Sequence, residues 1–349
     1  MRYRTGSLVS LSILALAGFG QADPATSGNS DRASDSLSFR PVEKWSYVLP
    51  KEEWSKVGGA IDLESGFHFS TEKTGVSKLE VDTNGDGKLN AKVKGIGGFL
   101  TLSDKNSKGE RFNYSVRVRN TGSNWEWSTS GVMTGTVRGK KLTLIDQNGN
   151  GRFDDFGRDA IVIGKGQAAS FLSRIVNIGD SLYEVEVSTD GTNITSEPFA
   201  GETARLDVNK NWDGNGTLAA AIFVSKSRDI SFDAASAKKG GMLVPTGEYR
   251  LTSGYAEKGG ESVRIAAGRM PAVDLAANAK HEVQWGGPVT MEFSYRVKGE
   301  SISVSSDLKF FGNAGEEYHT FQPNAKSPKI MVKDAKTGKL IQSGRFGGC

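Results

Sequence analysis

Asp82, Asn84 and Asp86 occupy alternate positions in the segment Asp82-Thr83-Asn84-Gly85-Asp86-Gly87-Lys88-Leu89-Asn90. Asp146, Asn148 and Asn150 do the same in Asp146-Gln147-Asn148-Gly149-Asn150-Gly151-Arg152-Phe153-Asp154. A third, poorer copy runs from Asn211 to Leu218 with Asp213 as its one carboxylate, and the first positions lie 64 and 65 residues apart (82 to 146, 146 to 211). Oxygen side chains at positions 1, 3 and 5 followed by glycine at 6 curl around a hard cation such as calcium, which takes six to eight oxygens. The expected ligands are Asp82, Asn84, Asp86 and the Lys88 carbonyl in the first loop. In the second they are Asp146, Asn148, Asn150, the Arg152 carbonyl and Asp154. Asp155 and Asp159 read as remaining ligands or solvated neighbours of that loop.

The elements that must hold these loops are strands. A helix–loop–helix site needs an acid at position 12, and Val93 and Gly157 stand there. Leu79 and Val81 before the first loop, and Leu89, Ala91 and Val93 after it, alternate with polar residues, which is the period of a half-buried strand. Leu142-Thr143-Leu144-Ile145 and Ala160-Ile161-Val162-Ile163 flank the second loop. The same Asp-Gly and Asn-Gly steps also suit plain hairpin turns without any metal, and for the third copy that is the preferred reading.

On these residues the loops resemble the calcium-binding hairpin loops of integrin-type propeller repeats, D-x-D-x-D-G-x-x-D. The second matches through Asp146, Asn148, Asn150, Gly151 and Asp154; the first ends in Asn90 instead of Asp. The resemblance covers about nine residues per copy and implies bound calcium. It does not extend to the propeller fold, which needs about four blades or more. The chain as a whole resembles secreted bacterial proteins that carry such loops.

Forty-four glycines and many short alternating runs, such as Val289-Met291-Phe293-Tyr295-Val297, predict a mainly β protein. The expected architecture is a β-repeat or β-sandwich region over 43–232, followed by an immunoglobulin-like β-sandwich over 240–349. Val244-Pro245-Thr246-Gly247-Glu248-Tyr249-Arg250-Leu251 carries the second expectation, because it resembles the P-x-G-x-Y-x-L strand of immunoglobulin-like and carboxypeptidase-regulatory modules. That resemblance implies an edge strand with Tyr249 packed inward. Asp334-Ala335-Lys336-Thr337-Gly338-Lys339 likewise resembles the hairpin that opens such modules.

Arg2 and Arg4, the apolar run Leu8–Ala17 and Gly20-Gln21-Ala22 read as a secretory signal over 1–22. A polar, flexible leader is expected over 23–42. The implied location is secreted or periplasmic, with no membrane span after cleavage. Without the two signal arginines the chain has 42 basic and 40 acidic residues, a near balance that argues against a nucleic-acid surface. The single cysteine, Cys349, offers a disulfide to a partner chain.

No nucleophile elbow, metalloprotease helix or phosphate loop appears. The nearest acid–base pair is Glu317 with His319, which share a face in a strand. The expectation is therefore a secreted calcium-binding β protein with a structural or adhesive role at the cell surface or in the periplasm. The alternatives are a secreted hydrolase of glycans or peptides using that pair, and a carbohydrate-binding module presenting exposed tryptophans. Trp125 and Trp127 share a strand face, for which core packing is the commoner reason.

Overall fold

Alternation of apolar and polar residues over short stretches, punctuated by glycine, drives more than half of this chain into strands, most of them paired antiparallel. The computed structural model describes residues 31–105, 109–237, 239–324 and 327–346. The signal segment, the first part of the leader and Cys349 lie outside the described residues. No α-helix occurs among the described residues, and no helix is long and apolar enough to cross a membrane.

Four sheets built from residues 33–198 surround a large core, and a smaller cluster around Leu49, Val132, Ile145 and Val162 lies apart from it. Trp125–Thr129, Arg111–Asn120 and Gly97–Lys105 pair in succession, with Ser55–Lys56 beyond. Ala60–Asp62, His68–Lys73, Lys78–Val81 and Ala91–Lys94 form a meander that carries the first loop at its last turn. Gly131–Val137, Lys140–Ile145 and Ala160–Ile163 form the sheet that carries the second loop. Their inward residues, among them Phe69, Leu79, Leu102, Tyr114, Trp125 and Leu142, are almost wholly buried.

The stretch expected to be a flexible leader is ordered from Ala33 onward. Ala33–Ser36 pairs with Asn193–Pro198, and Ser38–Pro41 pairs with Gly131–Val137. Leu37 sits buried between them, and Phe39 packs on the core. Two apolar residues and the backbone pairing at two sheet edges are enough to hold this polar segment in place.

A second core is formed by buried residues from Leu182 to Tyr318. Its main sheet runs from Ser231–Asp233 and Thr217–Ser225 through Gly247–Lys258 and Glu261–Ala266 to Glu317–Gln322, Ser301–Phe311 and Thr290–Lys298. Thr217–Ser225 and Gly247–Lys258 pair with each other along most of their lengths, so sheet pairing crosses the 232–240 boundary drawn from the sequence. Tyr249 is buried and its hydroxyl donates to the Pro245 carbonyl at 3.0 Å. Its strand is central in the sheet, with neighbours on both sides.

Candidate metal centre

The two principal loops fold alike because their first aspartate does the same work in each. Asp82 leaves the strand Lys78–Val81 and is buried; its Oδ1 accepts the N–H groups of Asn84 and Gly85 at 3.0 and 2.9 Å, and its Oδ2 that of Gly87 at 2.8 Å. Asp146 leaves Lys140–Ile145 and is fully buried. Its Oδ1 accepts from Gly149 and Asn150 at 2.7 and 3.1 Å, and its Oδ2 from Gly151 at 2.6 Å. The fourth and sixth positions hold positive φ in both loops, at Gly85 (71°), Gly87 (81°), Gly149 (71°) and Gly151 (80°). Only glycine takes that conformation without strain. The residue at position 5 accepts the N–H at position 7, from Lys88 to Asp86 and from Arg152 to Asn150, at 2.9 Å in each.

In the first loop the remaining side chains satisfy one another. Asn84 donates to Asp86, Asn90 donates to Asn84 at 2.8 Å, and the Asn90 oxygen accepts from Thr83. These hydrogen bonds, the Lys88 N–H foremost, hold the exposed Asp86 carboxyl below the usual carboxylate range. The carboxylate of Asp104 lies against the loop, 2.5 Å from where a Cβ on Gly85 would stand.

The second loop sits deeper and gathers more oxygen. Asp154 turns away, binding the Arg152 guanidinium at 3.1–3.2 Å and accepting from Thr189 at 2.8 Å. Asp155, one residue on, faces the loop instead: its Oδ2 accepts from Asn148 at 2.9 Å and from Asn150 at 2.6 Å. Asp159 is no solvated neighbour, being 1 % exposed. Glu64 approaches the Asn150 amide at 3.5 Å, and the Ser65 N–H donates to the Asn150 carbonyl. The Tyr114 hydroxyl donates to Asp146 Oδ2 at 2.7 Å from the neighbouring sheet.

Three buried oxygens of this cluster, Ser65 Oγ, Asn148 Oδ1 and Asp159 Oδ1, have no hydrogen-bond partner among the described residues. Burial pushes both Asp146 and Asp159 above the usual carboxylate range, and for Asp159 the negative charge of Asp146 adds to it. The Asp146 shift is opposed by its Tyr114 and backbone donors. Neither aspartate has a lysine or arginine ion-pair partner among the described residues. All the donors are oxygens, the chemistry a hard cation selects. A half-turn of the Asn148 or Asn150 amide exchanges N–H for carbonyl oxygen at the same place. Among the described residues no set of three His, Cys, Asp or Glu side chains converges as a ready cage, so amide and backbone oxygens would have to complete any site.

The third copy begins four residues earlier than its sequence suggests. Asp207 ends the strand Thr203–Asp207, is buried, and accepts the N–H groups of Asn209 and Lys210 at 3.3 and 3.1 Å, as Asp82 does in the first loop. Trp212 then stands where the position-6 glycine belongs. It pairs with Trp285 and packs edge-on against it, with ring centroids 4.9 Å apart. Lys280 lies 3.6 Å from Asp207 and supplies a positive charge there.

The other candidate residues are dispersed. Glu317 forms a long ion pair with Lys309 at 3.9 Å, and exposed His319 contacts the Thr320 hydroxyl at 2.8 Å. Trp125, Trp127 and Trp285 are core residues, while Trp45 and Trp54 stack on Arg117. A cavity of about 770 Å³ opens beside Ile163, Val176, Phe232 and Asp233. No family model, curated protein or solved structure matches the chain.

Asp233 yields a pH prediction. Burial pushes its carboxyl up to about 7, while its Oδ1 accepts from Ala221 and Ala235. A carboxyl raised in the folded state binds its proton more tightly there, so its contribution is complete below about pH 4 and lost as pH rises through about 7. Asp233→Asn keeps the acceptor without the charge. It should raise stability by roughly 1–3 kcal/mol at pH 8 and leave it unchanged at pH 4. Parallel pH profiles for the two proteins, measured by urea unfolding, would contradict this.

Proposed function

We propose that this chain is a calcium-stiffened β scaffold with a structural or adhesive role at the cell surface or in the periplasm, and that the second loop is its principal calcium site. The observation that carries this reading is the pair of buried aspartates, Asp146 and Asp159, set among three buried oxygens without hydrogen bonds. Buried carboxylates are costly unless a cation offsets them. A divalent ion beside Asp159, completed by the Asn148 and Ser65 oxygens and by neighbouring amide and backbone oxygens, would supply that charge and engage the idle oxygens. The first loop repeats the backbone geometry at the surface and suits a weaker site.

Sites of the extracellular kind have dissociation constants of about 10⁻⁴–10⁻³ M. At about 1 mM calcium each then adds roughly 0.4–1.4 kcal/mol. That stiffens a scaffold and is too small for a sharp switch. Thermal melts with about 1 mM calcium and with excess chelator should differ by roughly 1–4 °C. Asp159→Ala should abolish most of the difference while folding normally in chelator. Superimposable wild-type melts would reduce the loops to hairpin turns.

A further inference from the structure

The hairpin of Thr290–Lys298 and Ser301–Phe311 projects from the second sheet with one face uncovered. Opposed pairs across it are Met291 with Phe310, Phe293 with Leu308, Tyr295 with Val304 and Val297 with Ile302; the inner strand takes a register shift between the second and third pairs, and the apolar residues still fall on one face of the outer strand. The other face carries Glu292 opposite Lys309 and Arg296 opposite Ser303. Successive residues of a strand point to opposite faces, which makes this division a direct consequence of the sequence. Tyr295 is 63 % exposed and Val297 62 %. The inner strand meets Glu317–Gln322 only at Phe310 and Phe311, at the base of the hairpin, and Phe346 packs on Phe293 there. Thr290–Lys298 is the last strand of its sheet, so its outer backbone edge is unpaired among the described residues.

A long edge strand with an apolar face is a template for another strand. We propose that the occupant is a second copy of this chain, docked antiparallel on Thr290–Lys298 across a two-fold axis at Ser294. In that register all nine residues pair, and the faces match. Met291 meets Val297 of the second copy, and Phe293 meets its Tyr295, extending the apolar stripe across the joint. On the polar face Glu292 meets Arg296 of the second copy, twice by symmetry. A shift by one residue would set apolar against polar along the whole strand. Arg296 has no ion-pair partner within its own chain among the described residues, whereas Glu292 is already held by Arg269 at 2.6–2.7 Å. A lipid surface would cover the stripe and leave the edge N–H and C=O groups without partners. The joint uses no residue of either oxygen-rich loop, so it is independent of calcium.

Sedimentation equilibrium of the full chain in excess chelator tests this. The wild type should dimerise reversibly, and Arg296→Glu should weaken association roughly tenfold by setting like charges opposite each other twice. Adding Glu292→Arg to that variant should restore it, because the cross-pairs become opposite in sign again. Ser294→Cys combined with Cys349→Ser should form a covalent dimer under mild oxidation, and Ser55→Cys in the same background should not. A wild type that stays monomeric would overturn the proposal, as would a dimer untouched by Arg296→Glu. A monomer that instead binds phospholipid vesicles would assign the stripe to lipid and overturn it equally.

Discussion

Asp146→Ala is expected to lower the free energy of unfolding by about 3–5 kcal/mol even in excess chelator, the loss associated with breaking a buried hydrogen-bond network. The side chain is fully buried and receives four donors: the N–H groups of Gly149, Asn150 and Gly151, and the Tyr114 hydroxyl. Each buried donor left without a partner costs about 1–3 kcal/mol. The sum is offset in part because the variant no longer buries a negative charge beside Asp159. Asp146→Asn keeps one acceptor and the shape of the side chain, so its loss should be nearer 1–2 kcal/mol. Urea unfolding in chelator, with the slope unchanged and the midpoint shifted, measures both. A loss below about 1 kcal/mol for the alanine variant would mean that the loop is not held as described. The same variant should show no calcium-dependent gain from the second site.

Glu316→Ala should cost nearly as much, about 3–4 kcal/mol, or roughly 6–12 °C in the melting temperature. Glu316 is fully buried; its Oε1 accepts from the Gly286 N–H at 2.7 Å and the Tyr318 hydroxyl at 2.9 Å, and its Oε2 from the Ala314 N–H at 2.9 Å. It thereby ties the turn before Glu317–Gln322 to the short strand Trp285–Gly286, which holds Trp285 in the core. The neighbouring Glu317→Ala is the control. Its ion pair with Lys309 is long, at 3.9 Å, and partly exposed pairs of that kind contribute about 0–1 kcal/mol. Equal losses for the two variants would show that Glu316 is not the anchor.

These two aspects of the chain differ in how far the sequence revealed them. The paired strands around the first two loops were legible, because period-two alternation at Leu79, Val81, Ala91 and Val93 leaves one face to be buried. The position-6 corner was legible too, since glycine there permits the positive φ found at Gly87 and Gly151; the matching corners at Gly85 and Gly149 were shown by the structure. The third copy was read four residues late because Asp213-Gly214 mimics the motif, while the actual cap is Asp207. Its signal was present in the sequence as an acid just after the alternating apolar residues Ala204 and Leu206, the place where Asp82 also stands.

What a side chain faces was not legible. Asp154 and Asp155 are adjacent acids, and spacing favours the first. The structure turns Asp154 to Arg152 and Thr189 and brings Asp155 to Asn148 and Asn150. Glu64, Ser65 and Tyr114 come from other hairpins, 32 to 86 residues distant along the chain from their partners in the loop. No local pattern can announce them. The N-terminal stretch was misread for a related reason: its composition is polar, and its order comes from two sheet edges that the sequence does not display.

By itself, then, the sequence determined the β class, the strand periods, the loop corners and the oxygen chemistry of the loops, because each follows from steric and hydrogen-bonding rules acting over a few residues. Tertiary structure alone decided which aspartates are buried together, which oxygens go without partners, and which hairpin leaves an apolar face and a free edge. Those properties depend on groups distant along the chain meeting where water is excluded, and it is the loss of water that makes an unpaired charge, an idle oxygen or an open edge energetically consequential.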